Sequence, residues 1–230
     1  MKNKQEIISS FAELFAEGNN QLPIRAVTTH EAVSYEIEIF DDFIDSQQFS
    51  EAVSIMRNAG EDDCVTILFD SHGGDTGAMT TLLAAIDLCK ATVLGYAMSK
   101  VHSAAAVCFC ACDGWYVNPD AEIMWHTGSM RLGNTVDNVS SMVQHHKKIT
   151  KLRTERHCSK FLTRKELTSI HNGKDFWLTG EELIERIDKH LEKQNTQSAA
   201  SDEKMLLELL KTKLPTKKAK EVLEVLVGDF

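Results

Sequence analysis

The chain has no excess of cationic side chains. Its 25 Lys and Arg stand against 34 Asp and Glu, a formal charge of -9. A surface built to bind phosphate needs the opposite balance, so nucleic acid is not expected as a partner. No stretch approaches the unbroken apolar run of about 18 residues that a membrane span requires. The opening residues MKNKQEIISSFAELF lack the apolar core of a secretory leader. A soluble, cytoplasmic protein without membrane contact is expected. Spaced cysteine pairs are also missing: the six cysteines lie mostly in apolar segments such as AVCFCAC, where Cys behaves as a small hydrophobe. Cys108, Cys110 and Cys112 scatter around a helix at their spacing, and zinc sites favour two to four intervening residues, so no metal is expected.

What is present suffices for one core with a small appendage, since 43% of the 230 residues are hydrophobic. Ile7, Ile8, Phe11, Leu14 and Phe15 recur at helical spacing and predict an amphipathic N-terminal helix. YEIEIF (35–40) alternates as a strand, residues 46–59 read as a helix, and CVTILFD (64–70) is an apolar run typical of a buried parallel strand. A Gly-rich turn follows at 71–77. Then come a helix through Leu83, Ile86 and Leu88, a strand at 91–97, a small-residue helix from Ser103 to Cys112 and a strand around EIMWH. Residues 136–158 have a helical pattern that is polar nearly all round, which predicts a long helix leaving the domain and seeking a partner. A short helix at 163–170 and a last one from near Thr179, opened by a possible capping box, complete the core. QNTQSAASDE (194–203) reads as a linker to one or two short helices interrupted by Pro215. The expected organisation is therefore an N-terminal extension over 1–32, a core domain over 33–193, and a linker with a helical tail over 194–230.

Three segments carry chemistry. In FDSHGGDTGA (69–78) an apolar strand ends in Gly73 and Gly74, which adopt positive φ readily and let an oxygen approach bare backbone N–H groups. An ordinary tight turn explains the pair equally well, and the Lys-Ser/Thr of a nucleotide-binding loop is missing. In GYAMSKVHSAAAVCFCAC (95–112) a strand runs into Ser103, followed by three alanines that open a helix. A serine at such a turn exposes its hydroxyl where the helix dipole favours negative charge, although Ser is also a common helix cap. In NPDAEIMWHTG (118–128) a strand delivers His126 just before a glycine.

Together these segments resemble the Clp protease proteolytic subunit. The family's S-P-G-G, S-M-G-A, P-x-x-x-x-M-x-H and R-D-x-F-L-S-x-x-E-A correspond here to Ser71–Gly74, Ser103–Ala106, Pro119–His126 and the run from Lys174 to Leu183. The resemblance covers residues 33 to 192. It implies Ser103 as nucleophile, His126 as base and Asp175 as acid, with a separation of 49 positions from His126 to Asp175 as in the family. It also implies an oxyanion hole formed by the backbone N–H groups of Gly74 and Ala104. The Ser103–His126 interval is two residues shorter than usual, which fits virus-encoded relatives with S-A-A at the nucleophile. His72 replaces the family's proline, and His102 stands where a small residue is preferred. Ser99 is the rival nucleophile.

The implied fold is the α/β, ClpP/crotonase-like twisted and mainly parallel sheet flanked by helices, with a protruding helical handle over about 133–172. The implied activity is serine-type endopeptidase, acting on peptides or unfolded proteins within a homo-oligomer of stacked heptameric rings. No cofactor is implied for the chain itself, and ATP enters only through an AAA+ unfoldase partner. Three other readings stand beside it: a virus-type capsid or prohead maturation protease of the same fold, a catalytically silent structural subunit, and a crotonase-type acyl-CoA hydratase or isomerase.

Overall fold

The structure is a computed structural model and describes residues 24–29, 32–129 and 135–213. The expected N-terminal helix and the tail beyond Lys213 lie outside the described residues. The chain divides into two compact units after Ile184. The first holds a seven-stranded sheet.

Strands β1 (Ile24–Thr29) and β2 (Ala32–Ile39) form an antiparallel pair. A 3-10 turn, Ser46–Phe49, then leads into α1 (Ser50–Asn58). Asp45 starts this turn by accepting hydrogen bonds from the Gln47 and Gln48 N–H groups at 2.8 and 3.2 Å, as a helix-capping carboxylate does. Phe49, Ala52 and Met56 face inward at helical spacing. Strand β3 (Cys64–Ser71) buries Val65, Ile67, Phe69 and Ser71 in strict alternation. Helix α2 (Thr76–Leu88) is capped by Asp75, which accepts from the Ala78 N–H at 2.8 Å.

Strand β4 (Thr92–His102) is longer than its apolar run 91–97 predicts. It holds β3 along one edge and two short strands in succession along the other: β5 (Gly114–Val117) beside Leu94–Ala97, and β6 (Glu122–Trp125) beside Lys100–His102. Helix α3 (Ala104–Ala111) between them is buried from Ala104 to Cys110, which is why its sequence is apolar all round. Phe109 meets Phe69 edge-on at 5.9 Å. A Cβ on Gly95 would lie 3.0 Å from Phe109 and 3.1 Å from Cys112 Sγ, so the absence of a side chain there lets α3 rest on β4.

Helix α4 (Val136–Cys158) has no buried side chain over 137–153, and burial begins only at Thr154. A polar stretch of helix that packs little of itself is what its sequence predicts. Helix α5 (Arg164–His171) opens with a reciprocal capping box between Thr163 and Glu166. Strand β7 (Phe176–Thr179) pairs antiparallel with β6. Helix α6 (Gly180–Lys213) follows, and at its start the Glu182 carboxylate accepts from the Thr179 N–H at 2.9 Å while the Glu182 N–H donates back to Thr179 Oγ1.

The α/β class and the mainly parallel sheet flanked by helices are thus observed: the pairings β2–β3, β3–β4, β4–β5 and β4–β6 are parallel. Three local readings differ. Strands β5 and β7 have four residues each, too short for periodicity to reveal. Strand β1 precedes residue 33, where the core domain was expected to start. Residues 194–203 continue α6 as helix where their polar composition reads as a linker. Their Gln, Ala and Glu content is compatible with helix once a preceding turn has paid the nucleation cost. The second unit, from Glu185 onward, is described as this helix, with an exposed Lys189–Glu185 pair at 3.5 Å.

Candidate active site

Ser103 occupies the junction of β4 and α3 with φ +54 and ψ -115. Among the described residues it is the one non-glycine residue with positive φ. Such a backbone costs an L-residue on the order of 1 to 3 kcal/mol and persists only where surrounding structure enforces it. Here the enforcement comes from both sides. The Ser103 N–H donates to Met124 O at 2.8 Å, extending the β4–β6 ladder by one step, and the Ser103 carbonyl accepts from the Val107 N–H at 3.2 Å, starting the helix. The side chain is left half-exposed at the helix N-terminus, the arrangement of a nucleophile elbow.

The same ladder places His126. His102 and Met124 are partners in register, so Ser103 falls level with Trp125 and His126 is the next residue along. The His126 ring reaches Ser103, with Nε2 2.7 Å from Oγ. In the tautomer protonated at Nδ1, the serine hydroxyl donates to Nε2, the geometry in which an imidazole takes the hydroxyl proton. Ser99, the rival nucleophile, is exposed within β4 and makes no such bond to the histidine.

Asp175 precedes β7. The antiparallel register pairs Trp125 with Phe176, so one further step sets Asp175 across from His126. Its side chain is exposed, and among the described residues no hydrogen bond joins it to the imidazole. The backbone brings the expected acid and base to neighbouring positions, then, without a bond between their side chains.

The glycine turn packs against the serine. Gly73 has φ +82, and a Cβ there would lie 2.6 Å from the His102 carbonyl oxygen and 2.7 Å from the Ala104 nitrogen. Only a residue without a side chain permits this approach. Gly74, at φ +142, is bridged to Phe43: Phe43 N–H donates to Gly73 O, and Asp75 N–H donates to Phe43 O, both at 2.8 Å. That bridge makes no use of the Gly74 N–H. Ala104, as the first residue of α3, likewise has an N–H without an intrahelical acceptor. Phe43, which anchors the turn and packs edge-on against Phe49 at 4.8 Å, carries no signal in the sequence that ties it to the site.

His72 and His102 lie beside these groups. Their Nδ1 atoms are 3.3 Å apart, and the rings meet edge-on at 5.2 Å. His102 is buried, stacks edge-on with Trp177 at 5.2 Å, and has Nε2 3.1 Å from Glu122 Oε1. That distance suits an ion pair. Burial holds the His102 imidazole below its usual pKa, with Glu122 opposing and His72 and Lys100 reinforcing the shift. Glu122 and Trp177 escape notice in the sequence because nothing local marks them as neighbours of His102.

The cysteines are all free, and Cys108, Cys110, Cys112 and Cys158 are buried. Burial raises the thiols of Cys108, Cys112 and Cys158 well above the usual value, away from the thiolate a nucleophile needs. Among the described residues no group of three or more His, Cys, Asp and Glu is placed to hold a metal ion. Nor is any helix among them long and apolar enough to cross a membrane.

A strained serine at a strand-to-helix turn, hydrogen-bonded to a histidine on the adjacent strand, is an arrangement able to activate a hydroxyl as a nucleophile. The family model of the Clp protease matches residues 23–189, and the chain belongs to this family, a ClpP-like peptidase in class. The match takes in β1, ahead of the expected domain start. A comparison with curated proteins finds no match.

Proposed function

We propose that the chain is a serine endopeptidase in which Ser103 attacks the scissile carbonyl of a peptide or unfolded protein. His126 takes the serine proton and returns it to the leaving amine. Asp175 holds the imidazole in its Nδ1–H tautomer and stabilises the cation. The backbone N–H groups of Gly74 and Ala104 bind the tetrahedral oxyanion, each contributing about 3 to 4 kcal/mol to the transition state. The observation that carries this reading is the 2.7 Å contact of Ser103 Oγ with His126 Nε2. Asp175 makes no hydrogen bond to the imidazole in this structure, and catalytic hydrogen bonds commonly tighten only in the substrate complex. No cofactor takes part within the chain.

The peptidase works, in this proposal, in a homo-oligomeric ring, with α4 as the element that meets a neighbour. In support, its exposed face carries Met142, Ile149 and Leu152, 44, 36 and 54% exposed. ATP would be consumed only by an unfoldase that feeds the ring. A prohead-type maturation protease shares this chemistry and differs in substrate alone. The acyl-CoA reading gives Ser103, His126 and Asp175 no joint role.

The test is covalent labelling with a fluorophosphonate alongside hydrolysis of a fluorogenic peptide. Wild-type protein and Ser99→Ala are expected to label and hydrolyse, and Ser103→Ala to do neither. Labelling at Ser99, or full activity in Ser103→Ala, sinks the assignment. Assembly without any labelling favours a silent structural subunit.

A further inference from the structure

Two histidines outside the proposed triad flank its two halves. His72 immediately precedes the Gly73–Gly74 turn, His102 immediately precedes Ser103, and the 3.3 Å between their Nδ1 atoms links the two segments. His102 is 4% exposed, whereas His72 and Glu122 are exposed. A bond between two Nδ1 atoms requires one to carry a proton and the other a free lone pair. The Glu122 carboxylate, 3.1 Å from His102 Nε2, favours the tautomer with its proton on Nε2. His102 Nδ1 is then the acceptor, and the His72 Nδ1–H donates to it.

We infer that Glu122, His102 and His72 form a positioning chain that holds the oxyanion turn against the nucleophile. The inference rests on the peptidase reading. The turn needs such a tie, because Gly73 and Gly74 have no side chains with which to pack. On its far side it is held by the Phe43 N–H to Gly73 O bond at 2.8 Å. On its near side it approaches His102 O and Ala104 N at distances only a glycine allows, and the histidine pair is the side-chain link across that approach.

The link needs a lone pair on one of the two Nδ1 atoms, so it survives a charge on either ring alone, the neutral partner taking the tautomer that accepts. Only with both rings charged do two donors stand face to face and release the turn. Three ionisable groups face His102. Glu122 on β6 favours its protonation, Lys100 on β4 and His72 on the turn oppose it, and β7 contributes the uncharged Trp177. Peptidase activity therefore falls on the acid side when both rings of this pair are charged, in addition to the effect of protonating the catalytic base.

The experiment measures kcat and KM for a fluorogenic peptide from pH 5 to 8 with the full chain and its His72→Leu, His72→Asn and His102→Asn variants. His72 is exposed, so its replacement leaves the core intact and the test does not depend on the buried histidine. His72→Leu is expected to lower kcat roughly tenfold or more with KM within about twofold, since only the reacting geometry is disturbed. His72→Asn, which puts an N–H near the place of the Nδ1–H, recovers most of that loss. The wild-type acid limb is steeper than one proton, and those of His72→Leu and His102→Asn follow one. A His72→Leu enzyme within about twofold of wild type, an Asn variant no better than Leu, or identical acid limbs overturn the inference while the peptidase reading stands. Wild-type protein that neither hydrolyses peptide nor labels with fluorophosphonate overturns both.

Discussion

His126 Nε2 and Ser103 Oγ are 2.7 Å apart, although 23 residues of chain separate them. Parallel pairing of β4 with β6 produces this contact, since it sets Ser103 level with Trp125, the residue before His126. The proposed acid is set differently, by the antiparallel register of β6 and β7, which leaves Asp175 opposite His126 with its carboxylate in solvent.

Asp175→Asn therefore discriminates a working acid from a bystander. With the triad as proposed, kcat falls by about two to four orders of magnitude, because the amide favours the wrong imidazole tautomer. Folding stability changes little, since the side chain is exposed. Steady-state kinetics paired with a urea titration read both quantities.

Two glycines with the same backbone need differ in their tolerance of a methyl group. Gly73 and Gly128 have φ +82 and +80, but a Cβ on Gly73 meets backbone at 2.6 Å while one on Gly128 meets nothing within 4 Å. Gly128→Ala is expected to lose only the left-handed backbone term, roughly 1 to 2 kcal/mol. Gly73→Ala loses more, and fluorophosphonate labelling of Ser103 slows with it. Equal urea midpoints for the two variants contradict the close packing of turn and nucleophile.

Acid is expected to destabilise this fold from near neutrality. Burial holds His102 and His157 below the usual imidazole pKa, opposed by Glu122 and Asp87 respectively. The unfolded chain thus takes up protons first, and stability rises with pH. The contribution is complete above the unfolded value of about 6.5 and is lost as pH falls from there through the folded values. Thermal unfolding midpoints at pH 7.5 and 5.5 should differ accordingly, and His157→Gln should flatten the difference.

Phe109 has no exposed surface and lies between β4 and Phe69 on the helix that begins after Ser103. Phe109→Ala is expected to cost about 3 to 5 kcal/mol, by chemical denaturation, through lost burial and the cavity left behind.

On α4, Leu152→Glu places a charge on the exposed face assigned to subunit contact. Light scattering should then find a smaller species than wild type, with the circular dichroism unchanged.

Much of this was legible in the chain itself, for a physical reason in each case. Val65, Ile67 and Phe69 alternate because one strand must bury them, and Ala104–Cys110 is apolar throughout because its helix is enclosed. The paired glycines, the serine before small residues and the histidine at a strand's end are local patterns, and local patterns survive in one dimension. Strands β5 and β7 left no such pattern, because four residues are too few to show a period, and residues 194–203 read as linker because composition carries no memory of the helix that precedes them.

By itself, then, the sequence determined the α/β alternation, the small-residue helix and the local candidates Gly73–Gly74, Ser103 and His126, while Asp175 and the oxyanion role of Gly74 came from the family resemblance. Tertiary structure alone decided that the histidine's bond goes to Ser103 and not to Ser99, that Ser103 is held at φ +54, and that His72, His102 and Glu122 stand in line beside it. Those are contacts between segments some 20 to 30 residues apart. Strand register creates them, and register is a property of paired chains that no single segment carries.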